Sequence, residues 1–112
     1  MNLGNWQTQI RKGLLDIVVL NLLALCPCHG YQIAQTLKKI KALKIREGNI
    51  YPILARLQTD GLVASKREPS RDGPPRKCFE LTKLGRNILK DMNAHWSQIV
   101  ENIERLKKGT AI

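Results

Sequence analysis

Nothing in this sequence is long and apolar enough to cross a membrane. The longest apolar stretch, Leu14 to Leu25, is interrupted by Asp16 and Asn21 and falls short of the roughly 20 residues that span a bilayer. The first residues, with Asn2, Gly4, Asn5 and Gln7, lack a basic segment leading into an apolar block and a small-residue cleavage site. No export signal is visible, and a cytoplasmic chain is expected. Cysteine is sparse and odd in number: Cys26, Cys28 and Cys78 are expected to be reduced thiols, not a disulfide framework. Catalytic groupings are missing as well. No nucleophile with a base, pair of carboxylates or glycine-rich phosphate loop stands where a fold would assemble it, which points away from an enzyme and from any cofactor. There is no internal repeat, low-complexity tract or linker, and hence no sign of a second domain.

Acidic residues are few: nine Asp and Glu stand against nineteen Lys and Arg, for a net charge of +10. Such an imbalance implies a polyanionic partner, nucleic acid foremost. The excess is also localised. Between Lys38 and Lys77 eleven basic residues face four acidic ones, so this window holds +7 of the +10 and both ends are nearly balanced. An excess confined to the middle of a domain reads as a binding face, the alternative being a solvated soluble surface. At 43% hydrophobic residues the chain is too apolar for disorder. At 112 residues it buries proportionally little surface, so part of its core can come from a partner.

Apolar spacing supplies the elements. From Trp6 to Leu25, Ile10, Leu14, Ile17, Val18, Leu22 and Leu25 recur at helical spacing, while Leu15, Val19 and Leu23 add a second face, so this helix is buried on most sides until Pro27 ends it. Gly30 opens a second helix with Tyr31, Ile33, Ala34, Leu37 and Ile40 on one face and Lys38, Lys39 and Lys41 at its far end. After the basic connection Ala42 to Arg46, a third helix starts near Gly48 or Asn49, with Pro52 in its first turn, where a missing N–H costs no hydrogen bond. Its inner stripe is Ile50, Ile53, Leu54 and Leu57. The opposite side presents Asn49, Pro52, Ala55, Arg56 and Thr59, with Tyr51 on the flank.

Gly61 stops that helix, and Leu62 to Arg67 and Lys77 to Leu81 alternate as two strands around a hairpin tip at Glu68 to Arg76. Thr82 sits where an N-cap belongs, and no breaker follows before Gly109, so the last helix runs about 26 residues, roughly 40 Å. A domain this small cannot cover it. Leu89, Met92, Trp96, Ile99, Ile103 and Leu106 step by three and four, the seam of one helix on another, and a second copy is the simplest partner. Trp6 is expected to pack on that partner's last helix. The fold expected is mainly α with a small β-hairpin: a winged helix-turn-helix over residues 1–81 and a long C-terminal dimerisation helix over 82–112, in one compact unit.

With these elements in place, the sequence resembles the PadR family of transcriptional regulators. The resemblance is carried by Lys12-Gly13, Asp16 and the apolar run after it, Gly30-Tyr31-Gln32-Ile33, and Glu47 to Leu57. It continues through Asp60-Gly61-Leu62-Val63, Pro75-Arg76-Lys77 and Leu81-Thr82-Lys83-Leu84-Gly85. The short C-terminal part is similar to the compact subgroup with a single dimerising helix. The resemblance implies that the third helix enters the major groove and the wing reaches the neighbouring minor groove or backbone. Two copies then address a pseudo-palindromic operator in double-stranded DNA. Where many relatives carry an Arg at the wing tip this chain has Pro74, so that minor-groove contact is either missing or taken over by Arg71, and Cys78 stands in the place of a usual Tyr.

Asn49 and Arg56 suit adenine and guanine edges. Asn49 suits a helix N-cap equally, and Arg56 could instead pair with Asp60 four residues on. The resemblance gives the Tyr51 hydroxyl a phosphate contact, with its ring against the second helix; the alternative is a purely core tyrosine. Lys44, Arg46, Lys66, Arg67, Arg71, Arg76 and Lys77 are candidate phosphate or minor-groove contacts that set affinity more than sequence preference. Trp96-Ser97 and the following Glu101-Asn102-Ile103-Glu104 locally resemble multidrug-responsive members of the family. In those relatives a tryptophan here stacks on flat aromatic drugs, so Trp96, with Met92 and Asp16, is a candidate effector site; the alternative is an aromatic that simply fills a dimer interface. Cys26-Pro27-Cys28-His29, with Cys78, could sense metal or oxidation, although loop bystanders fit the spacing better. The combined expectation is a homodimeric repressor relieved by a small hydrophobic or aromatic molecule at the dimer interface. Its rivals are a protein-interaction module without DNA binding of its own and a thiol or metal sensor built on Cys26 and Cys28.

Overall fold

The first turn of the chain is dictated by Pro27, which disfavours helical geometry in the residue before it. Cys26 accordingly lies at φ −170°, ψ 154°, and ends helix α1, Leu3–Leu25. The computed structural model describes residues 2–70 and 72–112. Arg71, expected at the wing tip, lies outside the described residues. Helix α1 begins before the expected Trp6 because the Asn2 side chain accepts the Gly4 N–H at 2.7 Å and caps it.

A two-residue strand β1, Cys28–His29, leads into α2, Gly30–Lys38. Short 3-10 turns at Lys41–Leu43 and Glu47–Asn49 precede α3, Ile50–Thr59. Strands β2, Val63–Ser70, and β3, Gly73–Leu81, form the wing, and α4, Lys83–Lys107, completes the chain. The wing hairpin is longer than its alternation suggests. Both strands run through the segment expected as a tip, with an irregularity between Glu68 and Ser70 where Pro69 cannot donate to the ladder. The sheet is antiparallel in the order β1-β3-β2. Among the described residues, then, the architecture is four α-helices and a three-stranded sheet, mainly α, as expected for a winged helix-turn-helix.

The predicted inner stripe of the third helix and most of the apolar residues expected inside on the first two meet in one core, but Leu25, Tyr31 and Ile40 of the expected faces are exposed and Leu20, in neither expected face, is fully buried. Leu20 and Leu23 of α1, Ile33 and Leu37 of α2, and Ile50, Leu54 and Leu57 of α3 are fully buried, with Val63, Phe79 and Leu81 closing the sheet side. At the end of α3, Gly61 takes the left-handed φ of +77° that favours glycine. Thr82 then fastens α4 to that corner: its hydroxyl donates to the Gly61 carbonyl at 2.6 Å and accepts the Gly85 N–H at 2.9 Å.

One seam residue is placed differently from expectation. Leu89 is only 5% exposed and belongs to the protomer's own core, because α1 and β3 already pack on the start of α4. It keeps the seam's phase but is covered from inside the chain. From Ala94 to its end α4 is exposed, and the molecule's longest dimension is 57 Å.

Candidate nucleic-acid interface

The outer side of α3 carries Pro52, Ala55, Arg56 and Thr59, all exposed. Tyr51 flanks it, 54% exposed, and its position depends on a missing side chain. A Cβ on Gly30 would lie 2.7 Å from the Tyr51 ring and hydroxyl, so glycine at the start of α2 is what lets the ring lie there. Between α3 and the sheet runs an open cleft of about 780 Å³ whose walls include Tyr51, Ala55, Gln58, Arg76 and Lys77. Gln58 donates to the Ser65 hydroxyl at 2.9 Å and so ties α3 to β2 across the cleft.

Asn49 is half-buried and occupies the N-cap position of α3, as the capping alternative has it, but its side chain makes no capping hydrogen bond. Arg56 does pair within the protein, though not with Asp60. Its Nη1 donates to Asp16 Oδ2 at 2.9 Å and its Nη2 to Asp16 Oδ1, linking α3 to α1. These hydrogen bonds, and then the carboxylate's charge, raise the Arg56 pKa further.

Lys44 and Arg46 are exposed on the connection between α2 and α3, Lys44 in the left-handed region at φ 50°. Lys66, Arg67, Arg76 and Lys77 are exposed along the wing. Arg67 and Lys77 are directly opposite each other across the β2–β3 ladder. Side chains alternate faces along a strand, which puts both on the face of Ser65 and Phe79, toward the cleft.

A second groove, of about 400 Å³, lies between α1 and α4, with Ile10, Leu14, Ile17, Met92, His95 and Trp96 in its walls. Trp96 is 41% exposed beside it. Asp16 is not part of these walls. Its carboxylate is held by Arg56, which corrects the expectation that it accompanies Trp96 and Met92.

Cys26 is exposed, but Cys28 and Cys78 are buried, and Cys28 is a core strand residue instead of a loop bystander. Cys28 Sγ lies 3.3 Å from the Cys26 carbonyl and 3.8 Å from Cys26 Sγ. Burial, followed by the contacts with Cys26, pushes the Cys28 thiol up to about 11. Burial and then the Glu68 charge raise Cys78 as well. Neither is a ready thiolate at neutral pH.

The family model described as the transcriptional regulator PadR-like family matches residues 19–91, from the last turns of α1 through the wing into α4. The chain belongs to this family. As a PadR-like transcriptional regulator it is not an enzyme, and no described helix is long and apolar enough to cross a membrane. It is similar to a PadR-like transcription factor from Bacteroides fragilis, 35% identical, with a TM-score of 0.76 over 91% of this chain and 98% of that one. A PadR family regulator from Eggerthella lenta superposes with a TM-score of 0.81 at 27% identity, covering 93% of this chain and 90% of that one. A Streptococcus transcriptional regulator gives 0.79 at 33% identity over 89% and 98% of the two chains.

Three features of this PadR-like site are tertiary: the Asp16 partner of Arg56, Gly30 beneath Tyr51, and Gln58 in the cleft wall. Gly30 alone could have been suspected, since a helix that opens on glycine leaves room for a close neighbour.

Proposed function

We propose that this PadR-like regulator is a homodimeric repressor that grips a pseudo-palindromic operator in double-stranded DNA. The observation that carries this reading is the pair Arg67 and Lys77, like charges directly across a ladder. Such a pair destabilises a free hairpin, and a phosphate backbone between the two wing strands and α3 offsets that repulsion. Asn49 and Arg56 read base edges, Arg56 by exchanging Asp16 for DNA. The Tyr51 hydroxyl meets a phosphate, and Lys44, Arg46, Lys66, Arg67, Arg76 and Lys77 set register and affinity. Arg71 joins them.

Two copies pair through the exposed part of α4, where Trp96, Ile99, Ile103 and Leu106 face the partner, half-buried Met92 borders the seam, and Trp6 packs against the partner's last helix. The groove beside Trp96 has the size of a small-molecule site, and a small hydrophobic or aromatic molecule there changes the spacing of the two α3 helices and lowers operator affinity. That coupling requires the effector to bind the two spacings unequally.

A gel shift on the DNA upstream of the protein's own gene, repeated over a salt series, tests the reading. Specific binding that falls steeply as salt rises is expected. Absence of binding at low salt would leave the same fold acting as a protein-interaction module. Cys26→Ser and Cys28→Ala should leave operator binding unchanged, which separates the reading from a sensor built on those two thiols.

A further inference from the structure

The root of the wing carries a third group of side chains that DNA reading does not use. His29 of β1 stands directly opposite Cys78 of β3. On the other side of β3, Cys78 is opposite Lys66 of β2, and Glu68 is two residues on. Alternation therefore puts His29, Cys78 and Glu68 on one face of the sheet, opposite that of Phe79, with His29 at the rim of the cleft. His29 Nε2 is 3.4 Å from Glu68 Oε2, and one ligand atom from each of the three residues lies within 4.8 Å of the others. We propose that His29, Glu68 and Cys78 hold one divalent cation of the zinc class at the root of the wing.

The hydrogen bonds of His29 favour such an ion. Its backbone N–H donates to Gln32 Oε1 at 2.8 Å, which identifies that atom as the amide oxygen. The same oxygen lies 3.1 Å from His29 Nδ1, a hydrogen bond in the tautomer that carries the ring hydrogen on Nδ1. In a neutral ring Nε2 is then a bare lone pair facing a carboxylate oxygen, acceptor against acceptor. A cation between them removes the conflict. Metal-bound histidines characteristically donate their other N–H to an oxygen, which is the part Gln32 plays.

The ligand chemistry agrees. One imidazole, one thiolate and one carboxylate form the mixed nitrogen, sulfur and oxygen set that suits zinc. With bonds of about 2.0–2.3 Å, tetrahedral ligand atoms stand about 3.3–3.8 Å apart. His29 and Glu68 are already within that range, and Cys78 needs to close by no more than about 1 Å. Thiolate and carboxylate together balance the charge of the ion. The thiol proton of Cys78 leaves to solvent on binding. A cavity of about 230 Å³ lined by His29, Glu68, Ser70, Asp72 and Arg76 gives water access to the fourth position. Cys28 faces the other way, opposite Phe79, and takes no part. An ion here joins all three strands, and because β1 runs directly into α2 it fixes the wing against the helix-turn-helix.

The test is a cobalt titration of the full chain stripped with a chelator, in the absence of DNA, so that it stands apart from operator binding. One Co²⁺ per protomer is expected, with the thiolate-to-metal charge-transfer band and visible bands of a tetrahedral site, both abolished by added Zn²⁺. Glu68→Gln, a half-exposed change of equal size, should weaken binding by at least the roughly tenfold that outer-shell partners are worth. Cys78→Ser should lose the charge-transfer band, and Cys26→Ser should leave the titration unchanged. Zn²⁺ should also raise the melting temperature of the wild type more than that of Glu68→Gln. A folded wild-type protein with no thiolate band at saturating cobalt overturns the proposal, leaving an imidazolium–carboxylate pair. So does a band that survives Cys78→Ser and disappears in Cys26→Ser.

Discussion

Arg56 of α3 and Asp16 of α1 are joined through both guanidinium nitrogens, across 40 residues of sequence. The pair is partly exposed, with Arg56 at 52% and Asp16 at 27%, and pairs of this kind are worth roughly 0–1 kcal/mol. Asp16 can therefore be exchanged for DNA at little cost. Its neighbour Ile17 lines the groove beside Trp96, so α1 lies between the proposed effector site and the reading surface.

Replacing either partner should move operator affinity in opposite directions. Arg56→Ala should weaken binding by about 1–3 kcal/mol if the guanidinium reads a base. If it meets only phosphate, the change appears as a salt slope shallower by about 0.9. Asp16→Asn removes the competitor and should tighten binding at low salt. Fluorescence anisotropy of a labelled operator over a salt series measures both, and unchanged affinity in Arg56→Ala would remove Arg56 from the interface.

Gly85→Ala should be strongly destabilising although the change is small. A Cβ at this position would collide with the Leu62 carbonyl, where α4 crosses the end of α3, and neither backbone can move aside freely. A loss of about 1–3 kcal/mol is expected in urea unfolding. Gly73→Ala, with nothing within 4 Å of the new methyl, should stay within about 0.5 kcal/mol of the parent.

The thiols should react in a fixed order. Exposed Cys26 should label with a disulfide reagent well before Cys28, whose rise from 9.0 to about 11 lowers its thiolate fraction at neutral pH about a hundredfold. The same shift has a sign for stability. The folded state holds the thiol proton more tightly than the unfolded chain, so its contribution is complete below pH 9.0 and disappears as pH rises through about 11. Unfolding free energies of wild type and Cys28→Ala should therefore converge over that window. A difference that grows with pH contradicts the burial of a protonated thiol.

Trp96→Ala should abolish the quenching of tryptophan fluorescence by planar aromatic compounds and weaken their binding. Trp6, which is 50% exposed, supplies residual emission and an internal reference. Undiminished affinity in the variant would remove Trp96 from any effector site.

Much of this was legible in the sequence, and what was not had a common cause. The helices declare themselves through i, i+3 and i+4 spacing, and the stripe Ile50, Ile53, Leu54 and Leu57 is buried as its period requires. Strand β1 does not, because two residues carry no alternation and its pairing to Cys78 and Phe79 comes from 50 residues away. Leu89 shares the phase of the exposed seam, and only the packing of α1 and β3 shows that it is covered from within. Asp16 interrupts an apolar run, which marks it as unusual without naming its partner. The trio of His29, Glu68 and Cys78 draws on three strands and has no sequence spacing to betray it.

Stoichiometry on DNA tests the central claim most directly. Sedimentation of the full chain with a labelled duplex from upstream of its gene should show two protomers on one duplex at low salt. Free protein should sediment as a dimer that Trp96→Ala or Ile103→Asp dissociates. A monomer at working concentrations, or a chain that fails to move with any duplex at low ionic strength, would contradict it.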